Sequence, residues 1–288
     1  MDNRGVTPIL GAILLLGIAM MALTMYQINF VPYQNQQAEY NNYLDVEGDM
    51  LNVRNAIGSV GEDNPTASAR VDLITHYPDR TFLINPPPAR SSFQAANLSG
   101  GIAVSGVNLT KTCGITNGTT LPSSKLLKFT PDYHYLNTSQ VPPMVYENTV
   151  LYKQIPGDGV IFMTGQTLIQ GETINLLPLT GSMDVATGQY AIVDFVGGVT
   201  GRGSVNDNVT VTIPTRLTPA QWTELLEGQN NFKKAVANGS RVDIILEPAS
   251  YEVACTPVGM GEAPDVNIIG GKRDQINPSA PGDIALAD

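Results

Sequence analysis

No charged side chain occurs between Arg4 and Glu39, and this gap constrains the chain more than any other feature. Val6 to Phe30 is a run of 25 residues, and as a helix it would be about 37 Å long. That exceeds the ~30 Å hydrocarbon core of a bilayer, so the run spans with some tilt. A secretory signal has an apolar core of only about 7–15 residues, followed by a small-x-small cleavage site. Here the stretch "ILLLGIAMMALTMY" continues well past that length and fades only at Gln27 and Asn29. The core helix of a soluble protein would show a polar stripe, and this run has none. It reads as a membrane helix, with Tyr26 and Tyr33 flanking its exit at headgroup level.

The flanks give the orientation. Arg4 and the α-amino group lie on the short side. On the long side Glu39, Asp45, Glu47 and Asp49 precede the first base, Arg54. The positive-inside rule then predicts a cytoplasmic N-terminus and places residues 39–288 outside the cell.

Beyond the membrane, "NYLDVEGDMLNVRNAIG" spaces Tyr43, Val46, Met50, Val53 and Ile57 by 3, 4, 3 and 4, with Leu44 and Leu51 widening the stripe. This pattern predicts an amphipathic helix with a heptad-like packing seam, ending near Gly58 as a C′ residue. Pro32 removes a backbone donor between the two helical halves, so a kink or short break is expected there. If continuous from Pro8 to Ile57, the element would be about 75 Å long.

The arrangement in "RGVTPILGAILLLGIAMMALT" resembles the N-terminal region of archaeal type IV pilins and pilin-like proteins. The resemblance implies that a prepilin peptidase recognises Arg4-Gly5 and cuts between Gly5 and Val6. The five-residue leader would leave, while the apolar run would stay as both signal and anchor. Bacterial relatives carry a glutamate at the fifth mature position, where this chain has Leu10. Further stretches, "HYPDRTFLINPPPA", "YHYLNTSQVPPMVYENTVLYKQ" and "TPAQWTELL", look like segments of archaeal pilin-like surface proteins with no known activity. The resemblance implies like subunits as partners, packed through the N-terminal helix.

About 230 residues remain after that helix, enough for a real core. Gly and Pro together number 48, which favours many turns and short strands. Runs such as "ARVDLIT", "RTFLI", "LLKFT", "TVLYKQI", "GVIFMT", "YAIVDFV", "NVTVTIP", "RVDIIL" and "YEVACT" alternate or are β-branched. The fold class expected is α+β: a long N-terminal helix (6–58), then a mainly antiparallel, sandwich-like β domain (59–258), then a loose tail (259–288). One short helix interrupts the strands. In "LTPAQWTELLEG", Thr218 is the N-cap, Pro219 the first helical residue and Gln221 the partner in a capping box, with Leu217 and Trp222 as a staple.

Six sequons, at Asn97, Asn108, Asn117, Asn137, Asn208 and Asn238, suit a glycosylated surface domain, while Asn64 and Asn277 are excluded by the Pro that follows each. Cys113 and Cys255 lack metal-ligand spacing, and His76 and His134 are isolated. In an exported domain the two cysteines are expected to form a disulfide. It would close a loop of about 140 residues and contribute on the order of 5 kcal/mol.

Searches for catalytic motifs return nothing. "IIGGKRDQ" has Val266 and Arg273 where a P-loop needs Gly and Ser or Thr, and "TGRGSVNDN" reads as a hairpin loop. The net charge of −10 argues against nucleic acid as a partner. No cofactor and no enzymatic activity are expected. Two functions stay open. One is a pilin-like filament subunit whose Tyr43–Ile57 seam packs helix on helix. The other is a single-pass anchored protein whose β domain binds a glycan or an envelope protein.

Overall fold

The computed structural model describes residues 6–61, 63–80, 86–113, 124–157, 159–186, 188–198 and 200–262. Helix α1 (Val6–Met25), a π-helical turn (Tyr26–Phe30) and helix α2 (Val31–Ser59) follow one another without a break. Together they make a rod about 80 Å long. The expected interruption at Pro32 is absent, and the π-turn replaces it. Val31 N–H donates to the Tyr26 carbonyl, five residues back. Widening the turn just before Pro32 accommodates a ring that would otherwise press on the preceding turn, so the helix need not end. Gly58 is likewise inside the helix, which stops where Val60 becomes extended and turns into the core.

The rest is strand-rich, with the two short helices Leu109–Thr112 and Pro219–Leu226. The strands form five sheets among the described residues, rather than the two of a simple sandwich. The largest has six strands in the order Asp184–Val185, Ser92–Asn97, Lys125–Thr130, Met144–Glu147, Val150–Ile155, Gly159–Phe162. Its pairings are all antiparallel. Two pairings elsewhere are parallel: Thr173–Leu176 with Ala249–Cys255, and Leu179–Gly181 with Val258–Glu262.

Two stretches depart from the sequence reading. "TGRGSVNDN" is no hairpin loop, because Gly201–Asp207 is a strand paired antiparallel with Ala249–Cys255. Its glycines let it pass under the helix Leu109–Thr112, where a Cβ on Gly201 would overlap the Thr112 carbonyl oxygen. The expected tail also starts too early, since Val258–Glu262 pairs with Tyr190–Gly197 inside a four-stranded sheet. Of the predicted strand "RTFLI", residues 81–85 lie outside the described residues, as do "IIGGKRDQ" and 263–288.

Two apolar cores result. One gathers Trp222, Tyr251, the two cysteines and the strands around them. The other is built directly on α2, with Tyr43, Val46, Met50, Val53 and Ile57 packed against Val71, Phe93, Phe129, Met144 and Phe195. The first core draws in the helix Pro219–Leu226, whose capping box between Thr218 and Gln221 forms as expected.

Candidate functional site

Among the described residues one helix is long and apolar enough to cross a membrane, and its most apolar window has no buried residue. From Ile9 to Phe30 the large apolar side chains are exposed, with Leu15 at 71% and Met21 at 69%. Two polar side chains in this region bond back to their own helix. Thr24 Oγ1 donates to the Met20 carbonyl at 2.8 Å, and Asn29 Nδ2 to the Met25 carbonyl at 3.0 Å. Such internal satisfaction is what a hydrocarbon environment demands. Tyr26 and Tyr33 both stay exposed, and the Tyr26 ring lies 5.1 Å from that of Phe30.

Beyond the π-turn, one face of α2 is buried at positions 31, 35, 39, 43, 46, 50, 53 and 57. The predicted seam is therefore real, but its partner is this chain's own β domain. Tyr43, Val46, Met50, Val53 and Ile57 are each at most 2% exposed. The filament role expected of these five residues is corrected accordingly, because a side chain already in the monomer core has no surface to give a neighbour. Leu44 and Leu51 do not widen this stripe. They turn outward and stay exposed.

The end of the seam nearest the apolar helix is polar, and sequence reading missed it. Glu39, the first charged residue after the apolar run, is fully buried. Its carboxylate accepts the Tyr77 hydroxyl at 2.5 Å and the backbone N–H groups of His134, Tyr135 and Leu136 at 2.8–3.2 Å. Consecutive amides converging in this way form an anion-binding concavity that replaces water around the charge. Asn42 Oδ1 accepts from Thr75 Oγ1 and from the Tyr133 hydroxyl, at 2.7 and 2.8 Å. Arg80 donates to Gln34 Oε1 and to Asn35 Oδ1 at 3.0 Å. Burial first, and the Glu39 charge second, hold the Tyr133 hydroxyl well above its ordinary range. Burial and the hydrogen bond to Glu39 do the same for Tyr77.

Further along, α2 is fastened at nearly every turn. Tyr43 donates to the Pro142 carbonyl, Glu47 pairs with Lys153 at 2.5 Å, and Asp49 accepts the Asp72 N–H. Arg54 donates to the carbonyls of Thr149 and Gly165. The groups that meet this end of α2 come from two short stretches: Thr75, Tyr77 and Arg80 from one, Tyr133 and the amides of His134, Tyr135 and Leu136 from the other. A usable signal was present, since continuing the seam backward from Tyr43 in steps of four reaches Glu39, Asn35 and Val31.

A second buried carboxylate lies away from α2. Glu147 accepts Thr215 Oγ1 at 2.6 Å and the N–H groups of Arg216 and Leu217 at 3.1–3.3 Å. Thr215 Oγ1 in turn accepts the Trp222 indole N–H at 3.1 Å. Burial raises the Glu147 carboxyl above its ordinary value. Both carboxylates have their acceptor capacity taken up by donors that hold separate segments together, so they act as structural ties.

The expected disulfide is present: Cys113 and Cys255 are joined with Cα atoms 5.2 Å apart, and Tyr251, Val253 and Cys255 share the buried face of their strand. Among the sequons, Asn97, Asn108, Asn137 and Asn208 are exposed. Asn238 is half-buried, with its amide donating to Asp243. Asn117 and Gly5 lie outside the described residues, and Val6 opens α1. His134 stacks on Tyr77 with ring centroids 6.0 Å apart, while His76 is exposed. No group of three metal-ligating side chains occurs among the described residues. Beside α2 lie two shallow open grooves of about 200 and 220 Å³, smaller than typical small-molecule pockets.

No family model and no solved structure match the chain. A protein of Archaeoglobus fulgidus, described as uncharacterized, is 21% identical over 257 residues. The match takes in 85% of this chain but 41% of the relative, so the chain spans less than half the length of the relative it matches.

Proposed function

We propose that this is a non-enzymatic, archaeal type IV pilin-like cell-surface protein. Its apolar helix anchors it in the cell membrane and assembles it, with like subunits, into or alongside a surface filament. In this reading a prepilin peptidase removes residues 1–5 by cutting between Gly5 and Val6. The β domain stands outside the cell, where the sequons carry glycans. The observation that supports it most is the division of labour along one rod. The half from Ile9 to Phe30 is exposed and has no partner among the described residues of the β domain, while α2 is fastened to the domain at nearly every turn. A rigid junction of this kind passes the position of the helix directly to the domain.

One observation favours the second reading, a lone anchored protein whose domain binds a glycan or an envelope protein. The Tyr43–Ile57 seam is wholly used inside the monomer. Shearing native cells separates the two readings. A filament subunit appears in the sheared surface fraction, whereas a lone anchored protein remains in the membrane pellet and is released by detergent.

A further inference from the structure

On its outer side α2 carries a second apolar line. Tyr33, Tyr40, Leu44 and Leu51 are spaced by 7, 4 and 7. At about 100° per residue they fall within about 40° of one another around the helix. All four are exposed, Tyr33 at 63% and the others at 37–45%. The neighbouring exposed positions carry no large apolar side chain: Gln36, Gln37, Asn41, Asp45, Gly48, Asn52 and Asn55. Ile161, 51% exposed on the edge strand Gly159–Phe162, extends the stripe sideways across the groove that Tyr40 and Leu44 also line. The Glu47–Lys153 pair in that groove is mutually neutralised. The stripe starts just beyond the exposed apolar helix and prolongs it.

We infer that this stripe seats the same stripe of a second copy, with the two chains parallel. The inference rests on the reading of the apolar helix as an anchor. Spacings of 7, 4 and 7 are those of a coiled-coil seam. Copies anchored in one membrane point the same way at the same depth, so a two-fold axis along the membrane normal brings each stripe residue opposite its counterpart. The five side chains expose on the order of 400 Å², a patch size typical of functional surfaces. That is about half of the ~800 Å² per partner of a stable soluble interface. The exposed helix leading into the stripe and the confinement of both copies to one membrane supply the remainder. A soluble partner would have neither, which selects a second copy.

The test is cross-linking of the full chain in native membranes carrying Leu44→Cys. The sequence has two cysteines, already joined to each other, so only the introduced thiol reacts. Mild oxidation is expected to give disulfide-linked dimers at position 44. At Asp45→Cys, turned about 100° around the helix, the yield should be about tenfold lower. Both residues are exposed, so neither variant should lower the melting temperature. Equal yields at the two positions would report random collision and overturn the pairing. Membrane-bound chain with no dimer at position 44 would also overturn it, leaving the anchor intact and the stripe covered by something else. A chain absent from the membrane fraction would remove the anchor reading, and this inference with it.

Discussion

Glu39 takes a carboxyl group into the buried joint between the apolar helix and the β domain, and four donors meet it there. Removing the acceptor leaves three backbone amides and the Tyr77 hydroxyl without a partner in a closed space. Glu39→Ala should cost about 3 kcal/mol of stability, read as a lowered urea midpoint of the full chain in detergent. A loss under about 1 kcal/mol would mean that water enters freely and the cage is not closed. Glu147 makes a separate prediction through pH. Burial raises its carboxyl above the ordinary 4.5, so the folded state holds that proton more tightly than the unfolded chain does. Its contribution to stability is greatest below the ordinary value and falls as pH rises from there through the folded value. Glu147→Gln has no group to titrate and should show a shallower fall in stability than the natural chain as pH rises above the ordinary carboxyl value. An identical pH slope in the two proteins would contradict this.

At the scale of the element, α2 has two faces with different uses, and substitutions should separate them. Met50 is fully buried in the α2 core, so Met50→Ala should cost about 2–4 kcal/mol. Leu51, the next residue, points outward, and Leu51→Ala should stay within about 0.5 kcal/mol in the monomer. Thermal unfolding in detergent measures both, and equal losses would place the two faces wrongly. By the same logic, Val46→Asp with Val53→Asp should unfold the domain rather than block assembly selectively. The apolar helix, the seam spacing, the capping box at Thr218 and strongly alternating strands such as Val150–Ile155, Tyr190–Gly197 and Arg241–Leu246 were legible in the sequence because each depends on neighbours a few residues away, whereas Ser92–Asn97, Met144–Glu147 and Phe232–Asn238 were not. The partner of the seam was not, since a 3-4 repeat says that a face packs but not against what. Asn35 and Glu39 escaped notice because their burial depends on donors brought in from residues 77–80 and 134–136. Gly201–Asp207 looked like a loop for a related reason. Its glycines answer a close approach by Thr112, which local pattern cannot reveal.

Over the whole molecule, one rod joins two environments. Its first half offers a largely apolar surface in which Thr24 and Asn29 bond back to the helix, and its second half is built into the core of a disulfide-closed, strand-rich domain. The central claim is that the apolar half persists in the mature protein as an anchor. Intact-mass analysis of the native chain recovered from the membrane and sheared-surface fractions tests this most directly, because it reads the mature N-terminus. The account predicts that the chain begins at Val6 and retains the whole Ile9–Phe30 segment; a chain that begins after residue 20 would make the segment a discarded signal peptide and contradict it.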